Sequence, residues 1–204
     1  MENIIYKDEI MWDDDIKLDI KPDTDPFKMT FSEKLQFVKL TGATDVLKNE
    51  QPESLIIRQN EKIFDLPTGI KVRYLNLSGC GNLTHLPEDL IIAEEMSLDG
   101  CEKLKNIPTC FNERRSLTSM NINYCKSLEK LPNYIICNDF LSCINVNPDI
   151  IWPEKLLINR LFCSKRDLEN IPIKRYEINQ IILCDYEDGV NYAKAQYLGM
   201  KKIY

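Results

Sequence analysis

Histidine is almost missing from this chain of 204 residues: His85 is the only one. Hydrolytic triads that use histidine as a base therefore have a single candidate. His85 stands just before Leu86-Pro87. The nearest thiol, Cys80, is expected to point into its own turn, so His85 reads as an exposed loop residue. Glycine is scarce too, and its seven residues are scattered. That leaves no glycine-rich phosphate cradle. No two of the eight cysteines form a CxxC pair, so a zinc site of the usual spacing is unsupported. No run approaches the ~18 apolar residues of a membrane span. The opening stretch Met1–Asp8 has neither the basic region nor the long apolar region of a secretory signal. With these parts missing, no cofactor, no metal and no catalytic activity are expected.

Net basic charge is missing as well. The chain holds 26 Lys and Arg against 32 Asp and Glu, a net charge of −6. Residues 1–54 carry 13 acids and 7 bases, so the whole imbalance lies there, and residues 55–204 carry 19 of each. A general nucleic-acid binder needs a basic surface, so that partner is disfavoured. The run Asp13-Asp14-Asp15 reads as a solvated acidic stretch rather than a cation site.

What is present is a repeat. Leu75, Leu77, Cys80, Leu83, Leu86 and Pro87 recur without a gap as Met96, Leu98, Cys101, Leu104, Ile107 and Pro108. They recur again as Met120, Ile122, Cys125, Leu128, Leu131 and Pro132. The shared frame is L-x-L-x-x-C-x-x-L-x-x-L-P. Leu55–Pro67 keeps it with Asn60 in place of Cys, and Leu141–Pro153 keeps its length with several anchors replaced. A sixth copy ends at Ile171-Pro172, with its strand register open over residues 156–170. The apolar-Pro steps at 66, 86, 107, 131, 152 and 171 are 20, 21, 24, 21 and 19 residues apart.

L-x-L has the strand period of two, so both apolar residues point to one face. One turn cannot bury that face, but stacked turns bury it against one another. The Cys position lies where the chain leaves the strand, and a small side chain there can turn inward and bond to backbone. The Pro that ends each frame fixes φ and donates no hydrogen bond, which suits an extended far side and argues against long helices there. Cys80, Cys101 and Cys125 therefore read as reduced, inert core thiols in a reducing compartment. Cys110, Cys137 and Cys163 lie outside that column and are expected to be more accessible.

These units resemble the short leucine-rich repeats of bacterial effector, phage and giant-virus proteins, and the Leu75–Cys80 wording is also similar to repeats of plant intracellular immune receptors. The resemblance covers about residues 50–185. It implies an α/β fold: a right-handed leucine-rich-repeat solenoid of about six repeats, with a parallel concave β-sheet, a mostly extended convex side and helical caps. Some effectors of this kind are ubiquitin ligases, but their separate catalytic domain follows the repeats, and only about 20 residues follow Cys184 here.

Four segments are expected. Residues 1–29 form an acidic N-terminal segment in which Ile16, Leu18 and Ile20 alternate as in a short edge strand. Residues 30–54 form a helical N-terminal cap opened by a capping box at Thr30 and Glu33. Residues 55–186 form the solenoid. Residues 187–204, with Val190, Ala193, Tyr197 and Leu198, form a C-terminal helical cap.

The surface left for function is the concave face, whose outward side chains alternate with the inward ones. Its candidate partner-binding residues are Arg58, Tyr74, Asn76, Ser78, Glu95, Ser97, Asp99, Asn121, Asn123, Tyr124, Phe140 and Ser142. The aromatic members are the expected anchors. Arg160, Lys165, Arg166, Lys174 and Arg175 make the last turns basic. The expected function is non-enzymatic: a protein–protein interaction module acting in the cytosol, the host cytosol for a delivered effector. The alternative is an adaptor or substrate-recognition subunit for a separate enzyme such as a ubiquitin ligase.

Overall fold

The computed structural model describes residue 25, residues 28–108 and 116–184, and the backbone of 196–199. The acidic stretch through Asp13–Asp15, the Ile16–Ile20 alternation and Cys110 lie outside the described residues. Seven parallel strands build a β-solenoid of about six turns: β1 (Ser54–Ile56), β2 (Lys71–Asn76), β3 (Ile91–Ser97), β4 (Leu117–Asn121), β5 (Tyr134–Ser142), β6 (Lys155–Cys163) and β7 (Glu177–Leu183). They lie side by side in chain order.

The repeat frame sets their register. Leu55, Leu75, Met96, Met120, Leu141, Leu161 and Ile181 are aligned across the sheet, and all are buried. Two residues on, Ile57, Leu77, Leu98, Ile122, Cys143, Cys163 and Leu183 form a second buried row. Each aliphatic side chain so buried contributes about 1.5–3 kcal/mol. This settles the sixth copy: Leu161 and Cys163 occupy the two L-x-L positions.

Beyond each of the first five strands the chain turns in the same way. Gln59, Gly79, Gly100, Tyr124 and Asn145 all have positive φ, between 50° and 76°, one per turn. Their amides reach the next turn: Gln59 N–H bonds the Ser78 carbonyl, Gly79 that of Asp99, Gly100 that of Asn123 and Tyr124 that of Ile144. The next residue points inward. The Cys80, Cys101 and Cys125 thiols donate to the carbonyls of Ile57, Leu77 and Leu98 at 3.4, 3.2 and 3.2 Å. In the first turn Asn60 Nδ2 donates instead to the Lys39 carbonyl of the cap, at 2.9 Å.

The N-terminal cap is α1 (Phe31–Thr41) followed by a 3-10 turn, Thr44–Leu47. Both halves of the Thr30/Glu33 capping box form, and the Thr30 hydrogen bonds hold the Glu33 carboxyl below its ordinary pKa. Gly42, at φ 80°, ends the helix. A Cβ there would lie 2.3 Å from the Lys62 carbonyl oxygen, so the first loop closes tightly on the cap. Val38 and Leu47 are fully buried against the end of the stack.

The described residues on the far side of the first five turns are extended, with single bridges joining Asn106, Lys130 and Ile151. Among the described residues of the far side, a short helix, α2 (Lys165–Asn170), appears only in the sixth turn. Its Asp167 carboxylate accepts from Asn145 N–H at 2.9 Å and from Ser164 N–H at 3.1 Å. It thus replaces the carbonyl that serves the exit turn elsewhere.

At the C-terminal end the expectation of a helical cap over 187–204 meets a difference. Gln196–Gly199 is a strand, β8, antiparallel to β7. A last parallel strand leaves a row of N–H and C=O groups without partners, and an antiparallel strand satisfies that row where a helix would not. The remainder of 187–204 lies outside the described residues.

Candidate functional site

The outward face of the sheet carries two aligned rows. One runs Ser54, Tyr74, Glu95, Ser119, Phe140, Arg160 and Gln180. The other runs Ile56, Asn76, Ser97, Asn121, Ser142, Phe162 and Ile182. Of the sequence-derived residues, Tyr74, Glu95 and Phe140 lie in the first row and Asn76, Ser97, Asn121 and Ser142 in the second. Arg58, Ser78, Asp99 and Asn123 follow at the strand exits.

Several of them are occupied in holding the turns. Asn76 Oδ1 accepts from Ser78 N–H, and Asn121 Oδ1 from Asn123 N–H, each at 3.0 Å. The Ser78 and Ser97 hydroxyls are 2.8 Å apart. Ser142 Oγ donates to Asn123 Oδ1 at 2.8 Å, and Ile144 N–H donates to the same oxygen at 2.7 Å. Asn123 and Ser142 are only 9% and 7% exposed. Their place on the open face is a correction: they are interior hydrogen-bonding groups. Strand alternation ends at the exit turn, where a polar side chain folds back onto backbone amides that need partners.

Tyr74 is half-buried. Its hydroxyl donates to Glu94 Oε2 at 2.6 Å, and the Arg73 guanidinium stands 5.4 Å from its ring centroid. Arg73 also pairs with Glu53 Oε1 at 2.8 Å and with Glu94. Hydrogen bonding to Glu94 raises the Tyr74 pKa, and the bonds from Tyr74 and Arg73 lower that of Glu94. Tyr124 is half-buried at the positive-φ position of the fourth turn.

The most developed feature was not wholly foreseen. Phe140 and Phe162 meet edge to face, 5.5 Å between centroids and 80° between planes. Arg160 lies 5.9 Å from one ring and 5.7 Å from the other. Its Nε donates to Asp139 Oδ1 at 2.9 Å, and its Nη2 donates to the same oxygen. Ile182 extends the patch in register with Phe162. Phe162 escaped the sequence analysis because the register was open over 156–170. The Leu161-x-Cys163 step was the signal that fixes it outward.

Asp99 differs from its neighbours. It is half-buried, burial raises its pKa, and no donor among the described residues reaches its carboxylate.

His85 is exposed, with Nδ1 2.8 Å from Thr84 Oγ1. No group of metal-ligating side chains occurs among the described residues. Cys80, Cys101, Cys125, Cys137, Cys143 and Cys163 are free, and they and Cys184 are buried. Cys137 and Cys163 are thus less accessible than expected, because both point inward from β5 and β6. Burial pushes the thiols of Cys125, Cys137 and Cys163 up to about 12. No helix among the described residues is long and apolar enough to cross a membrane. Comparison with protein-family models, with curated proteins and with solved structures gave no match.

Proposed function

We propose that this chain is a leucine-rich-repeat recognition module that binds a protein partner through the outward face of its sheet and catalyses no reaction. The repeat reading is supported by the L-x-L-x-x-C frame, which stacks in register through three successive turns with each thiol bonded to the turn before. The observation that carries the binding reading is the Phe140–Arg160–Phe162 platform. Aromatic rings and arginine are the usual anchors of protein interfaces. Held by neighbouring strands and by Asp139, they need little further ordering on binding. Six buried free thiols, Cys80, Cys101, Cys125, Cys137, Cys143 and Cys163, suit a reducing compartment. With the family resemblance they favour action in a cytosol, that of a host for a delivered protein.

The test is affinity capture from a host lysate with the wild type and with Phe140→Ala/Phe162→Ala, the two matched by circular dichroism. One protein retained by the wild type and reduced at least tenfold on the variant is the expected result. Equal recovery on both would place binding away from this face.

A further inference from the structure

We infer that the chain's own residues 15–19 dock on the outer edge of β1 as an antiparallel strand, with Leu18 beside Leu55 and Ile16 beside Ile57. The occupant is the acidic N-terminal segment of the same molecule, so this goes beyond partner binding at the outward face and does not depend on it.

The edge is read from the bonds that β1 makes. The Glu53 carbonyl accepts from Tyr74 N–H at 3.1 Å. Ile57 N–H donates to the Asn76 carbonyl at 2.9 Å, and Gln59 N–H to the Ser78 carbonyl at 2.8 Å. Successive residues of a strand turn their backbone groups to opposite sides. Residues 53, 55, 57 and 59 thus face β2, and Ser54, Ile56 and Arg58 turn their N–H and C=O groups the other way. β1 is first in the sheet, and no described residue supplies a backbone partner to these groups. α1 covers the apolar end of the stack, but its bonds run to Glu50, Asn60 and Lys62 rather than to β1. A row of this kind invites another strand. The opposite edge of the same sheet shows the sense in which one is filled: β8 lies antiparallel on β7.

The place where the described chain begins favours a strand from the same molecule. α1 runs alongside β1 in the same sense. Lys34, near its start, pairs with Glu50, ahead of β1, at 2.6 Å. The Lys39 carbonyl, near its end, accepts from Asn60, beyond β1. Just before α1, Met29 is buried, and Lys28 N–H closes a turn on the Asp25 carbonyl at 3.0 Å. The chain ahead of α1 is therefore held at the entry end of β1, and a segment running back from there along β1 is antiparallel to it. Ten residues separate Asp19 from Thr30, about 33 Å of extended chain. That is ample to reach Ser54, which is only four residues past Glu50.

Alternation and charge select the segment and its register. Ile16, Leu18 and Ile20 alternate with Lys17 and Asp19, the pattern of a strand with one buried face. Leu18 beside Leu55 and Ile16 beside Ile57 extend the two buried rows by one strand. The same register sets Asp19, Lys17 and Asp15 beside Ser54, Ile56 and Arg58. Arg58 is exposed, and Asp15 is its counter-charge across the pair. A slip of one residue would turn Ile16 and Leu18 outward. A slip of two that brings Ile20 beside Leu55 would set Lys17 against Arg58.

The test is disulfide trapping in the full chain. Lys17→Cys/Ile56→Cys puts two outward thiols on directly opposed residues, with Cα atoms about 5.5 Å apart, a separation that a disulfide spans. Lys17→Cys/Asn76→Cys moves the second thiol one strand further, to about 10 Å. Both variants are oxidised in dilute solution with copper phenanthroline, verified as folded by circular dichroism, and mapped by peptide mass spectrometry. The expected result is an intramolecular bond between positions 17 and 56, at least tenfold more abundant than that between 17 and 76. Equal yields, or no bond in either variant, would overturn the inference. A bond between positions 17 and 56 of different molecules would overturn it as well, and would give the edge to a second copy. Hydrogen exchange provides a reading free of engineered thiols. Leu18→Asp should speed exchange of the Ser54 and Ile56 amides at least tenfold and leave that of Met120 unchanged. Equal rates at Ser54 and Ile56 in wild type and variant would also overturn it.

Discussion

At the strand exits one backbone conformation recurs through five turns with unlike side chains. Gly79 and Gly100 adopt positive φ freely. Tyr124, at φ 57°, bears a left-handed cost of roughly 1–2 kcal/mol. The inward cysteine after this position was legible in sequence because it repeats. The outward carboxylate of Asp99 was legible as a surface residue, but not as one lacking a donor, since that depends on where Ser78 and Asn123 point. Burial raises the Asp99 pKa above its ordinary 3.8. The folded state then holds the proton more tightly than the unfolded one. Its contribution to stability is full below the ordinary value and is lost as pH rises through the folded value. Asp99→Asn should therefore raise Tm at pH 7, and the gap should close near pH 3. Melting curves at both pH values decide this, and a variant less stable at pH 7 would refute it.

Among the elements, α2 shows how a departure from the repeat is accommodated. In the first four turns the positive-φ amide bonds a carbonyl of the next turn. In the fifth, Asn145 N–H finds the Asp167 carboxylate, which also completes the Ser164 capping box. One side chain thus closes a helix and ties two turns. Asp167→Ala leaves three donors without their acceptor and should cost about 1–3 kcal/mol. Chemical denaturation measures the total, and hydrogen exchange should localise it to β5–β7 and α2. Uniform loss of protection through β1–β4 would contradict that role. The helix around 165–170 had no signal in the repeat, because the sixth copy lacks the cysteine and leucine anchors there. Strand β8 was misread for a related reason: its partner is β7, and pairing across the chain leaves no trace in local periodicity.

For the whole molecule, each turn packs mainly on its two neighbours, so stability is close to a sum of turn and interface terms. The stack should open from its ends, and the cysteines report it. Cys101 and Cys125 lie mid-stack, fully buried, while Cys184 lies beside the last parallel strand. At pH 8 the native thiols should be silent to a disulfide reagent, since all of those described are buried. In denaturant below the main transition, Cys184 and Cys163 should label before Cys101 and Cys125, with sites read by peptide mass mapping. Simultaneous labelling of all four would mean one all-or-none opening instead. The architecture was legible as a whole because three gapless copies dictate strand, turn and stacking together. The Phe140–Phe162 platform was only half legible, because a contact across turns depends on the register of the weakest copy.

The antiparallel strand at the C-terminal end bears on how such a molecule can change in length. A parallel stack accepts a new turn wherever the register continues, because every turn offers its successor the same carbonyls and the same apolar shelf. The edge beyond β7 makes no such offer: its groups are taken in the reverse sense by β8, and the other end is closed by α1. New turns can therefore enter only from within, by in-frame duplication of a span such as residues 78–98. A chain that lengthens in this way moves its two ends apart while keeping both intact. Any partner gripping the outward face would then meet an altered spacing between Tyr74 and Phe140 whenever the insertion falls between them. On the proposed reading of that face, a repeat gained between them would change what the molecule recognises.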